Sequence, residues 1–284
     1  MPKIIFCLSL LATYLLGCCQ KTVYSIEEHG TELISCITKE GIAVAADSRW
    51  SKFKIAPNIP KKIYAWSDGH KKIYTYKGIF VQLAGAYDFR NYTFYGLFKK
   101  FQQSNKRPVN IKTFYSVFSS FAKKELSPED YQELKRNTII ISGYFGSIGC
   151  IYRYKNNNID SAIGKGFIIL SLQSKDMGKM DNVLNTLDTA HLATAINFEI
   201  NFIHWRAQSP SNEISLVGGP ISTGYVKPNG EINENFQNND LYIMTKSKIE
   251  AELTGKIKTN FTSKDDSVQY RKALLEEYKI YSKN

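Results

Sequence analysis

Apolar and polar positions fall into blocks with two different periods, and the blocks alternate along the chain. Thr31–Thr38 and Ile42–Asp47 are short apolar runs on either side of Lys39-Glu40-Gly41, the pattern of a β-hairpin. Residues 48–72 are polar and basic, carry Pro57, Pro60 and Asp68-Gly69, and read as a long connection. Ile73–Ala84 supplies two strand segments around Lys77-Gly78. The spacing then changes to three and four residues: Phe94, Leu97, Phe98 and Phe101, then Phe114, Val117, Phe118 and Phe121. It predicts helices over roughly 88–105 and 110–135, with the aromatic stripes as core faces. Strands follow at Thr138–Tyr144, Gly149–Tyr154 and Ile159–Ile163, the last two joined by an Asn156-Asn157-Asn158 turn. A helical region over about 178–207, strands near 213–227 and at Leu241–Thr245, and a charged helix from about 265 complete the chain. Strand runs alternating with helix pairs imply two sheets with helices stacked outside them. No repeat of fixed period and no Pro-, Gly- or Ser-rich linker divides this α/β domain.

Composition removes several alternatives. At 43% apolar, 13% aromatic and 22% charged, the 284 residues can fill a substantial core and are not a disordered chain. The net charge of +11 raises nucleic acid as a partner, but the lysines are spread out with no Arg-rich stripe, so the charge reads as a solvated surface and no nucleic-acid partner is expected. At the N-terminus, Met1-Pro2-Lys3 precedes an apolar stretch, Ile4–Leu16, too short to span a membrane with confidence; this is the pattern of a secretory signal over residues 1–17. Leu15-Leu16-Gly17-Cys18 resembles the lipobox of bacterial lipoproteins. That resemblance implies an exported protein of the cell envelope, periplasm or outer membrane, lipidated at Cys18 and touching a membrane only through that anchor; the alternative is a secreted protein. Cys36 and Cys150 lie in apolar stretches and read as buried free thiols.

The common catalytic signatures are missing: there is no P-loop, dinucleotide fingerprint, Cys-x-x-Cys or His-Glu-x-x-His, and His29, His70, His191 and His204 are scattered. No metal or other cofactor is expected. The informative stretch runs from Gly30-Thr31 to Ala45-Ala46-Asp47-Ser48-Arg49. It resembles the start of proteasome β-subunits, members of the N-terminal nucleophile (Ntn) hydrolase superfamily. Their mature chains begin with a catalytic Thr and carry an Asp sixteen positions later; Thr31 and Asp47 have that separation. Lys71-Lys72-Ile73-Tyr74 and Leu83-Ala84-Gly85-Ala86-Tyr87-Asp88 are similar to the family's lysine strand and glycine turn. Ile141-Ser-Gly-Tyr144, Ile163-Gly-Lys-Gly166 and Val217-Gly218-Gly219 resemble later landmarks more weakly.

The resemblance implies a four-layer αββα sandwich of two mainly antiparallel sheets over residues 31–284, preceded by a propeptide or tether over 18–30. It implies a threonine-type hydrolase of peptide or other small amide bonds, freed by self-cleavage between Gly30 and Thr31, and a homo-oligomeric ring. Thr31 would be the nucleophile, Asp47 and Lys72 its electrostatic support, and Gly85 the oxyanion donor. Lys62 is the alternative lysine, and Arg49 and Lys165 are accessory candidates. The residue types suit the chemistry: an α-amine has an ordinary pKa of about 8, close to ideal for a general base, and a neighbouring ammonium lowers it further. The sequence also departs from the pattern. Gly164-Lys165-Gly166 stands where the family has Gly-Ser-Gly, and Ser215-Leu-Val-Gly218-Gly219 where it has Asp-x-x-Ser-Gly. Those losses motivate a second expectation, a catalytically inactive Ntn-fold subunit or binding lipoprotein.

Overall fold

The hairpin at Thr31–Asp47 forms as strands β2 (Leu33–Ile37) and β3 (Ile42–Ala46), paired antiparallel from Leu33↔Ala46 to Ile37↔Ile42. The computed structural model describes residues 23–29, 31–56, 59–106, 109–164, 168–171, 191–208, 217–236 and 245–282. Every residue of β2 and β3 is buried, which is why both read as unbroken apolar runs: each face of this sheet is covered. Leu33, Ile37, Ile42, Val44 and Ala46 point to one side, Ile34, Cys36, Ala43 and Ala45 to the other, as the two-residue period of a strand requires. Flanking strands β11 (Ile168–Ser171), β12 (Ser222–Val226) and β13 (Ile232–Asn235) give the order β11-β2-β3-β12-β13.

A second five-stranded antiparallel sheet has the order β10-β9-β8-β7-β6. Its strands are β6 (Ile73–Tyr76), β7 (Ile79–Ala84), β8 (Thr138–Phe145), β9 (Ile148–Lys155) and β10 (Asn158–Gly164). The β9–β10 turn places Asn156 and Asn157 at φ 50° and 66°, a conformation that asparagine tolerates better than most residues. Between the sheets lie Leu33, Ile37, Val44, Ile73, Phe80, Ile140 and Ile151. Ser35, Gln82 and Ser142 are buried among them. Gln82 of β7 accepts from Ser35 Oγ (2.6 Å) and donates to the carbonyls of Ile34 (3.1 Å) and Ala45 (2.9 Å). A satisfied buried amide is tolerated because its donors and acceptor are all used, and here it fixes how the two sheets lie on each other.

Helices α1 (Phe94–Ser104), α2 (Ile111–Glu125) and α3 (Pro128–Arg136) sit on the outer side of the second sheet. Thr93, Asn110 and Ser127 cap them, each side chain accepting a first-turn N–H. Their buried stripe, Phe94, Leu97, Phe98, Phe101, Phe114 and Phe118, meets Tyr74, Tyr76, Val81 and Leu83 of the sheet. On the opposite outside, α4 (Leu192–Ala207) packs Leu192, Ala195, Phe198, Phe202 and Ile203 against Ile34, Cys36, Ala43 and Ala45. The layers are therefore helix, sheet, sheet, helix, an αββα sandwich. Cys36 and Cys150 are buried free thiols.

Phe101 tests the aromatic layer. It is fully buried, with ring centroids of Tyr76, Phe114, Phe118 and Phe121 between 5.3 and 5.7 Å away. Phe101→Ala is expected to cost about 3–5 kcal/mol, a fall in Tm on the order of 10 °C, measured by calorimetry.

Two stretches, 48–72 and the one ending at Thr245, differ from the sequence expectation. The connection over 48–72 contains strands β4 (Trp50–Ala56) and β5 (Ile59–Ser67), which with β1 (Val23–His29) and β14 (Thr259–Phe261) form a third antiparallel sheet, β1-β4-β5-β14. Its lysines and Pro60 mask a strand period, and what covers it is distant in sequence. Helices α5 (Thr245–Leu253) and α6 (Lys264–Tyr281) pack Ile249, Tyr270 and Leu274 on Tyr64 and Ala65. There Lys52 Nζ, fully buried, pairs with Glu252 (2.8 Å) and bonds the Tyr270 hydroxyl. Thr245, expected to end a strand, opens α5, and 241–244 lie outside the described residues. Helix α4 covers the second half of the expected 178–207 helix; 178–190 lie outside the described residues.

Candidate active site

The ends of β2, β3, β6 and β7 that face the same way bring the candidate residues together. Thr31 precedes β2 and is 7% exposed; its neighbour Glu32 donates its backbone N–H to Asp47 Oδ1 (2.8 Å). Asp47 ends β3 and is completely buried. Its Oδ1 also accepts from Lys72 Nζ (3.0 Å), and its Oδ2 accepts the backbone N–H groups of Arg49 (3.1 Å) and Gly218 (3.0 Å). Four donors on one carboxylate hold it in place, and such charge-assisted bonds are the strong ones.

Lys72 is fully buried at the entry to β6, its ammonium bonded to Asp47 and to the Arg49 carbonyl (2.6 Å). Burial lowers its pKa below the ordinary 10.5, and the Asp47 charge offsets part of that. Lys62, the alternative, lies in β5 opposite Lys54. Arg49 forms a two-point ion pair with Asp68 (Nε–Oδ1 2.8 Å, Nη2–Oδ2 3.0 Å). Gly30, Cys18 and Lys165 lie outside the described residues.

Gly85 follows β7, and the β6–β7 pairing delivers it to the same end: the Leu83 N–H donates to the Lys72 carbonyl (2.9 Å). At φ 131° it occupies backbone space that disfavours any side chain. The next turn is walled by aromatics. Trp50 stacks on His70 (4.6 Å, 12°) and meets Tyr87 edge-on (4.1 Å, 70°). Lys248 of α5 lies 5.4 and 5.5 Å from the Trp50 and Tyr87 rings and pairs with Asp88.

The Gly218 departure has a structural counterpart. A Cβ at Gly218 would come within 2.6 Å of the Arg49 guanidinium carbon, so Arg49 fills the space of a side chain there. Gly218 still contributes through its backbone, donating to Asp47 and accepting the Ser48 N–H (3.1 Å). No sequence signal revealed Gly218's backbone role, the Trp50–His70–Tyr87 wall, or Asn137, whose side chain bonds the Ala86 backbone (2.7 Å at both atoms).

Beneath β2, α4 carries two more polar residues. Arg206 Nε lies 3.5 Å from Glu32 Oε2, and Glu199 is fully buried beside Cys36. Burial pushes the Glu199 carboxyl well above 4.5, the Cys36 thiol offsetting only part. Burial likewise raises the Cys36 thiol, with the Glu199 charge adding to it. A carboxyl whose folded pKa is raised takes up a proton on folding, so it opposes stability progressively as pH rises above its unfolded value. Glu199→Gln removes that opposition. At pH 7–8 it is expected to raise Tm by ~2–4 °C for each kcal/mol recovered, and the gain should vanish as pH falls below ~4.3, the ordinary glutamate pKa; thermal melts across pH check this.

No protein-family model and no curated protein matches the sequence. Solved structures do. The Gly-1 mutant of Anbu from Hyphomicrobium sp. strain MC1 is 14% identical with a TM-score of 0.49, over 74% of this chain and 88% of that one. Anbu from Yersinia bercovieri, described as an ancestral β-subunit, is 13% identical with a TM-score of 0.48, over 72% and 87%. This corrects the family reading. In place of a proteasome β-subunit behind a lipoprotein-type signal, the similarity found is to Anbu, and no lipoprotein signal is shown. Residues 1–22 lie outside the described residues, and the described part of the expected tether, Val23–His29, is β1, paired antiparallel with β4. The physical reason is that the hairpin motif follows from burial on both faces and reports the layered fold, so by itself it does not identify a family.

Proposed function

We propose that the protein is a threonine-type Ntn hydrolase of peptide or other amide bonds. The observation that carries this is Asp47, one buried carboxylate that bonds both the backbone beside Thr31 and the Lys72 ammonium. Thr31 Oγ first attacks the Gly30 carbonyl carbon. The peptide C–N bond breaks, an ester forms on Oγ, and the nitrogen becomes the Thr31 α-amine. Water hydrolyses the ester, leaving a Gly30 carboxylate and a free N-terminal threonine. On a substrate amide, that amine takes the hydroxyl proton as Oγ attacks and passes it to the leaving nitrogen; water then releases the acyl group. The buried Lys72 charge favours the unprotonated amine, so the base is ready near neutral pH.

The second reading, an inactive Ntn-fold subunit, is favoured by Arg49 filling the space over Gly218, where the family carries a serine. A β-lactone separates the two. Intact mass after incubation should show one adduct, mapped to Thr31 and absent from Thr31→Ala. An unlabelled wild-type chain would leave the inactive reading standing.

A further inference from the structure

We infer that Asn137 is the positioning residue of the turn that receives the substrate's oxyanion, and that it makes the Gly85 N–H, not that of Ala86, the donor; this rests on the hydrolase reading above. Asn137 is 3% exposed and sits between α3 and β8. Its Oδ1 accepts the Ala86 N–H at 2.7 Å and its Nδ2 donates to the Ala86 carbonyl at 2.7 Å. The side-chain amide thus pairs with one residue as a neighbouring strand would. Both polar groups of Ala86 are used, and the Ala86 N–H is spent before substrate arrives.

The same side chain explains why position 85 is glycine. A Cβ there would fall 2.2 Å from Asn137 Oδ1. The brace is anchored on rigid structure, since Thr138, directly after Asn137, pairs with Ala84, directly before Gly85. The peptide that meets the developing charge is held from the adjacent strand and not by its own loop, so it needs no reorganisation when charge develops.

The test uses a β-lactone and follows acylation of Thr31 in the mature protein, separating the maximal rate (kinact) from the concentration dependence (KI). Asn137→Ala is expected to lower kinact by ~10²-fold, in the range seen for loss of an oxyanion donor, with KI changed little. Asn137→Asp adds a readout that a packing role would not move. Its neutral carboxylic acid reproduces the amide's donor and acceptor, while its carboxylate faces the Ala86 carbonyl with like polarity. The ratio of variant to wild-type kinact should therefore rise as pH falls through the carboxyl's titration. The inference is overturned by kinact for Asn137→Ala within two-fold of wild type, by an effect confined to KI, or by a pH-independent Asn137→Asp ratio. A wild-type chain that takes no label overturns the hydrolase reading instead, and this inference with it.

Discussion

Thr31→Ala is expected to yield a folded protein that keeps residues preceding position 31 and hydrolyses no amide substrate, with turnover down by at least ~10³-fold. The size of the effect follows from the number of roles placed on one residue. In the proposed mechanism its hydroxyl is the nucleophile for self-cleavage and for substrate, and its α-amine is the base that exists only after the first reaction. Alanine removes the hydroxyl, and without self-cleavage the amine never forms. Folding should survive, because Thr31 precedes β2 and the bond that fixes the neighbouring backbone runs from the Glu32 N–H to Asp47. Far-UV circular dichroism with intact mass distinguishes a folded, uncleaved variant from a misfolded one. Thr31→Ser should retain activity, since it keeps both groups.

The second large effect is expected at the Asp47–Lys72 pair. Lys72→Ala should reduce turnover by about 10²–10⁴-fold, the range for disabling a general base, because the amine loses the charge that keeps it unprotonated. It should also destabilise the fold by ~3–5 kcal/mol, the cost of leaving one partner of a buried pair behind. Asp47→Asn should be comparably damaging to stability, with the lysine now buried beside a neutral group. Both side chains are completely inaccessible to solvent, so water cannot replace the missing partner. The pH profile carries the same physics. Burial lowers the Lys72 pKa below 10.5, so its charge is lost earlier on the alkaline side than that of an ordinary lysine. The amine is already unprotonated there, so the effect is read on the acid limb: Lys72→Ala should move that limb to higher pH, toward the ordinary α-amine value of about 8 or above.

Much of the fold is legible because local pattern and burial coincide. Leu33–Ile37 and Ile42–Ala46 are apolar throughout because a sheet covers one face and a helix the other, and Phe94, Leu97, Phe98 and Phe101 keep helical spacing because one face meets a sheet. The third sheet was hidden because β4 and β5 carry four lysines and Pro60, and their cover comes from α5 and α6, nearly two hundred residues on. Within the candidate site, Thr31, Asp47, Lys72 and Gly85 are reached through the resemblance to proteasome β-subunits, with Lys62 as the alternative lysine. The roles of Gly218 and Asn137 are not, because one contributes a backbone N–H and the other a side-chain amide to a turn fifty-one residues away. Long-range contacts of that kind leave no periodicity to read.

N-terminal sequencing and intact mass of the purified wild-type protein test the central claim most directly. A chain that begins at Thr31, with Thr31→Ala retaining the preceding residues, is the predicted result. A wild-type chain that keeps Gly30 joined to Thr31, with the same mass pattern in the variant, would contradict it.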